Sequence, residues 1–211
     1  MSSVDVDSLL KEGYKCFLAG MKKRNLELPI HDSWEVACLI KGSFPKLAAE
    51  NFLNLLKKAN PNYITGNALL WPVLDCPPEA EPYLISSKDA WETFSIGKCS
   101  STMFWQIALQ GYFYQYQTLE NDNPIPNKYS FTTLYRVAEA IGVSLAFAKK
   151  LNCNLENNTL CFCFKWKNLK GRELSSINFD RPISQGHIAQ KQASRYFVKL
   201  LGRPCLLTAT Q

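Results

Sequence analysis

Apolar positions recur with a helical period at the start of the chain. Leu10, Tyr14, Phe17, Leu18 and Met21 fall at i, i+4, i+7, i+8 and i+11, which predicts an amphipathic helix over residues 7–24. Asp5 or Asp7 is placed to cap it, and Lys22-Lys23-Arg24 suits the negative end of its dipole. A second helix is expected from Asp32. Asp32 and Glu35 have capping-box spacing, the run Trp34, Val36, Ala37, Leu39 and Ile40 follows, and Gly42 ends it. Ser43 is placed to cap a third helix with Pro45 in its first turn and Phe44, Ala48, Phe52, Leu55 and Ala59 on one face. Asn60-Pro61-Asn62 stops it.

The pattern then changes. Pro61, Pro72, Pro77, Pro78 and Pro82 cut the chain into short pieces, with short strands expected at Leu69–Leu74 and Tyr83–Ile85. Residues 103–117 are rich in strand formers, and Tyr112, Tyr114 and Tyr116 alternate with Phe113, Gln115 and Gln117 at period two. A polar loop over 120–128 precedes a long helix from Ser130 to about Asn152. That helix carries two apolar stripes, which is the mark of a buried helix. Thr159–Lys167 alternates as a strand, with Leu160, Phe162, Phe164 and Trp166 on one face and Cys161, Cys163 and Lys165 on the other. Lys170-Gly171 marks a turn, so 159–177 is expected to form a hairpin. A last amphipathic helix is expected over 187–201, with Gly202 as its C-cap.

This order predicts an α+β fold in one globular domain spanning 1–211. It comprises N-terminal helices, central short antiparallel strands, one buried long helix, and a C-terminal hairpin with an amphipathic helix. With 46% apolar residues in 211, the chain is long and hydrophobic enough to bury a substantial core. No stretch approaches the roughly 18 consecutive apolar residues of a membrane span. The acidic start, Met1–Asp7, has the wrong chemistry for a secretory signal. The eight cysteines are mostly scattered through apolar runs, as in Val36-Ala37-Cys38-Leu39-Ile40, so reduced core thiols and a cytoplasmic location are expected. Export by a route that uses no cleaved leader is compatible with the same features.

Known chemistries fit poorly. Gly97-Lys98 lacks both the following Ser or Thr and the upstream glycine of a Walker A loop: Cys99 and Glu92 stand there. No Gly-x-Gly-x-x-Gly occurs. Only Cys161 and Cys163 form a close cysteine pair, so no structural zinc set is expected, and no cofactor. His31 and His187 belong to no thiol-enzyme signature, and Glu79, Glu81, Asp89 and Glu92 have no fixed partner.

Charge alters the picture most. Residues 149–211 hold eleven Lys and Arg against Glu156, Glu173 and Asp180, a balance of +8. The whole chain has 24 basic and 18 acidic residues, a balance of +6, so residues 1–148 carry −2. Such asymmetry points to an anionic partner for one end. On the expected last helix Lys191, Arg195 and Lys199 share a face. The expected hairpin adds Lys165, Lys167, Lys170 and Arg172 beside Trp166. A basic patch with an aromatic fits phosphate backbone or an acidic protein surface, and a solvated charged face is the plainer alternative. No helix-turn-helix, zinc-finger or RNA-recognition signature accompanies it.

Three segments carry a resemblance: His31–Val73 (HDSWEVACLIKGSFPKLAAENFLNLLKKANPNYITGNALLWPV), Tyr135–Leu151 (YRVAEAIGVSLAFAKKL) and Phe162–Ser176 (FCFKWKNLKGRELSS). Together they resemble the C-terminal region of bacterial ATP-binding or transcriptional-regulator proteins that carry an N-terminal Schlafen-like domain. The family runs Asn-Pro-x-Tyr-Thr-Gly-Trp-Pro without interruption. Here Tyr63, Thr65-Gly66 and Trp71-Pro72 are separated, and the likeness stops after Ile177. The Schlafen-like domain is not covered, so its nucleotide binding does not transfer and no site residue is supplied. The resemblance implies a bacterial accessory or sensing module. The expected function is a non-enzymatic regulatory module whose basic C-terminal surface contacts nucleic acid or an acidic protein. The alternatives are an enzyme whose site is assembled from residues distant in sequence, or a leaderless secreted effector.

Overall fold

Among the residues described in the computed structural model, nine strands and two long helices organise the chain. The structure describes residues 5–28, 32–43, 47–48, 51–52, 54–55, 58, 83–85, 90–96, 102–118, 128–130, 132–153, 157–171, 173–175, 190 and 193–201. Helix α1 covers Val6–Lys23. Strands β1 (Ser33–Lys41), β2 (Tyr83–Ile85), β3 (Ala90–Ile96), β4 (Thr102–Ala108), β5 (Tyr112–Thr118) and β6 (Lys128–Ser130) follow. Helix α2 (Thr132–Lys150) precedes β7 (Thr159–Lys167), β8 (Glu173–Ser175) and β9 (Ala193–Leu201). The fold is α+β. Seven strands form one sheet in the order β2-β3-β4-β5-β1-β7-β9, and every neighbouring pair in it is antiparallel. Strands β6 and β8 pair in parallel as a separate two-stranded sheet.

Helices cover both faces of the large sheet. On one face Trp34, Val36, Cys38 and Ile40 of β1 join Phe162, Phe164 and Trp166 of β7, and α2 seats Ala140, Val143, Phe147 and Ala148 against them, with Leu151 just beyond its end. Phe52 meets Phe147 edge-on there, with ring centroids 5.5 Å apart. On the other face Leu9, Leu10, Phe17 and Met21 of α1 pack on Ala37, Leu39, Phe104, Tyr114, Tyr116 and Cys163. Phe17 stacks on Tyr116 at 3.9 Å. Strands β5 and β7 both flank β1 antiparallel, so they run parallel to one another and α2 crosses between them over β1.

Local chemistry accounts for the boundaries. Asp5 caps α1 by accepting from the Ser8 backbone N–H at 2.8 Å. The Arg24 guanidinium returns to the Gly20 carbonyl at 3.2 Å, so the basic cluster at 22–24 serves the helix end. The three-residue β4–β5 loop closes on Gly111 at φ 81°, a left-handed position that suits glycine. Gly13 is needed for a different reason: a Cβ there would overlap the Tyr114 ring, so α1 lies directly on the sheet.

Three expectations are corrected. Ser33–Lys41 is a strand, not a helix. β1 lies between β5 and β7 with helices over both faces, so all its residues but the last are buried and its sequence loses the alternation that marks a one-sided strand. Ala193–Leu201 is also a strand, because its apolar and basic residues pair in register with β7 from Thr159↔Leu201 to Lys167↔Ala193. The 159–177 hairpin is absent: β7 pairs with β1 and β9, while β8 pairs with β6. Tyr83–Ile85, the strands in 103–117 and the long helix after Ser130 lie where expected. Residues 51, 52, 54, 55 and 58 are helical, within the third expected helix. Leu69–Leu74 lies outside the described residues.

Candidate functional site: a basic margin at the end of the sheet

The period-two geometry of a strand divides the basic residues of β7 and β9. On β7, Lys165 and Lys167 share the α1 face with Cys161 and Cys163, and Trp166 faces α2. On β9, Arg195 and Lys199 are four residues apart and therefore lie on the same side, with Phe197 between them. Their shared orientation, expected from helical spacing, thus holds on a strand. Arg195 stands opposite Lys165, and Lys199 opposite Cys161.

Three of these cations are held internally. Glu35 of β1 is 1% exposed. The Lys167 ammonium lies 2.7 Å from its Oε1 and that of Lys165 lies 3.9 Å away. The Tyr114 hydroxyl donates to Oε2 at 2.8 Å. Lys167 also sits 3.3 Å from the centroid of the Tyr14 ring, adding a cation–π contact from α1. Arg195 reaches Asp7 of α1 at 2.6 Å. A carboxylate buried this deeply is tolerable only with such charge and hydrogen-bond compensation. The Glu35 cluster therefore fastens α1 and β7 to the centre of the sheet. Sequence reasoning missed Glu35, Tyr114, Tyr14 and Asp7. The usable signal was an acid inside the run Trp34-Glu35-Val36-Ala37, which requires a base once both flanks are buried.

Burial sets the titration of the neighbouring groups. It holds the Tyr114 hydroxyl well above its ordinary range, with the Glu35 charge adding to the effect. It pushes Tyr116 up to about 12 and Lys165 down, Glu35 opposing the latter. The Cys38 and Cys163 thiols are each pushed by burial to about 12. Thiolate is the reactive form of cysteine, so these two positions suit packing over nucleophilic chemistry. Glu92 accepts from Gln106 Nε2 at 2.5 Å in a second buried pair on this face. Among the described residues no group of three or more His, Cys, Asp or Glu side chains is arranged to hold a metal ion. His31, His187, Glu79, Glu81 and Asp89 lie outside the described residues.

What remains open to solvent is a margin. Lys170 is exposed in the turn after β7, where Gly171 has φ 84°. Arg195, Tyr196 and Lys199 are exposed on β9, Tyr196 by 46%. Among the described residues no acid lies within ion-pair distance of Lys170 or Lys199. Trp166 is 8% exposed; it stacks on Phe164 at 6.1 Å and meets Tyr196 edge-on at 5.8 Å. It supports the margin from below and is not a free contact surface. Arg172 and Lys191 lie outside the described residues. Of the eight residues expected to form the contact face, Lys170, Arg195 and Lys199 are exposed, Lys165 and Lys167 are tied to Glu35, and Trp166 is packed. No family model, curated protein or solved structure matches the chain.

Proposed function

We propose that the protein is a non-enzymatic binding or regulatory module whose C-terminal basic margin contacts an anionic partner, either nucleic acid or an acidic protein surface. The observation that carries this reading is exposed Lys199 on the terminal strand of the sheet, with exposed Lys170 in the turn that ends β7 and Arg195, which also holds Asp7, between them in the exposed margin. Cations at an exposed edge, in a segment of excess positive charge, attract anions through a field that salt screens. The Glu35 cluster contributes rigidity: it holds β7, and through it β9, in a fixed place.

Fluorescence anisotropy of a labelled oligo-dT and a labelled acidic peptide, from about 50 to 300 mM salt, tests this reading. Lys170→Glu/Lys199→Glu is expected to weaken binding at least about tenfold and to lower the log–log salt slope by about 1.4 for the single-stranded nucleic acid. Lys22→Glu, at the far end of α1, is the control and leaves binding unchanged. Binding indifferent to both salt and the charge reversals, or no binding of either probe at low salt, would overturn the proposal.

A further inference from the structure

Strand β9 ends the sheet, and among the described residues no strand pairs with its outer side. About half of the backbone N–H and C=O groups of such a strand point away from its neighbour and can accept another strand. β9 is nine residues long, enough for a full-length partner. Its two sides differ: Arg195 and Lys199 are exposed on one, Tyr196 is exposed and Val198 half-buried on the other.

Charge selects among occupants. A second copy pairing antiparallel about Phe197 would set Arg195 opposite Lys199 twice, and like charges directly across strands repel. The same arrangement favours a strand with an acid opposite Lys199, since Arg195 already has Asp7. We propose that β9 receives an extended peptide as an eighth strand of the main sheet, with an acidic side chain toward Lys199, on the side where Arg195 already holds Asp7, and apolar ones toward Tyr196 and Val198. Backbone hydrogen bonds supply the affinity and the alternating side chains the selectivity. This inference rests on the reading of the basic margin as the contact face, and narrows the partner to an acidic–apolar alternating segment of a protein.

The probe is a blocked synthetic peptide of alternating Glu and Val, nine residues long, compared with versions N-methylated on each alternate set of residues. Anisotropy measures binding and amide hydrogen exchange reads β9. The unmodified peptide is expected to bind, one N-methylated version to bind at least about tenfold more weakly, and about half of the β9 amides to slow in exchange. Lys199→Glu weakens binding in parallel. Three results would overturn strand addition: equal binding of all three peptides, unchanged β9 exchange in the complex, or outward β9 amides already protected in the free protein at any concentration. Protection that appears only as protein concentration rises would assign the edge to a second copy and also overturn it. Charge-sensitive peptide binding without β9 protection sinks strand addition alone. Peptide binding insensitive to Lys199→Glu and to salt sinks the basic-margin reading as well, and charge-sensitive binding of oligo-dT with none of the peptide assigns the margin to nucleic acid.

Discussion

Glu35 concentrates the physics of single residues in this fold. Lys167→Met removes the 2.7 Å partner of a buried carboxylate, leaving Lys165 at 3.9 Å and the Tyr114 hydroxyl. Deleting one member of a buried pair costs up to about 3–5 kcal/mol, and because Lys167 is partly exposed a loss of about 2–3 kcal/mol is expected. Glu35→Gln/Lys167→Met should recover about 1–2 kcal/mol of the summed single losses, measured by a urea double-mutant cycle. Titration gives a second prediction. The folded-state values of Cys38, Cys163, Tyr114 and Tyr116 lie above their ordinary ones, 9.0 for the thiols and 10.0 for the tyrosines. The folded protein therefore keeps protons that the unfolded chain loses. Their stabilising contribution is complete below about pH 9 and is lost as pH rises toward 12, by about 1.4 kcal/mol per pH unit for each full proton of difference. Lys165, shifted down, acts in the opposite sense and is outnumbered. Tm should fall steadily between pH 9 and 11, and Cys38→Ala should flatten the slope. The buried thiols were legible in sequence from their apolar neighbours. The Glu35 partners were not, because Lys165 and Lys167 lie more than a hundred residues away in the chain.

At the scale of elements, α1 and β1 show what patterning can and cannot carry. α1 has one apolar stripe, a capping Asp5 and basic residues in its last turn, so its period, start and end were all legible. β1 has none of these cues, because a strand covered on both faces reads as a continuous apolar run. Asp32 and Glu35 then imitate a capping box by spacing alone. β9 failed similarly: Arg195 and Lys199 are four apart, a separation that keeps one side on a helix and on a strand. Pairing with β7 decides the matter, and pairing is a long-range fact. The seating of α1 is itself testable. Gly13→Ala gains up to about 1 kcal/mol in helix propensity but drives a methyl group into the Tyr114 ring. Overpacking of this kind costs about 1–3 kcal/mol or more, so a net loss in urea stability is expected, with α1 lifted from the sheet. A Gly13→Ala protein as stable as the parent would contradict the close approach of α1.

For the whole molecule, the division of charge is the property the fold reinterprets. Residues 149–211 carry a balance of +8 against −2 for the rest, yet Lys165, Lys167 and Arg195 are engaged with acids from β1 and α1, in the N-terminal part of the chain. The α+β class and the asymmetry were both readable from sequence. The reduction of a broad basic surface to a narrow margin was not, since it follows from which strands become neighbours. No described helix is long and apolar enough to cross a membrane. Whether the β9 margin is the contact face is read by chemical-shift mapping of the isotope-labelled protein titrated with the alternating Glu–Val peptide, and with oligo-dT in parallel. Shifts are expected to concentrate in Ala193–Leu201 and in residues 168–171, and to need at least about tenfold more peptide to saturate in Lys199→Glu. Saturating shifts located elsewhere on the sheet, or none at low salt with either this peptide or oligo-dT, would contradict the β9 margin as the contact face.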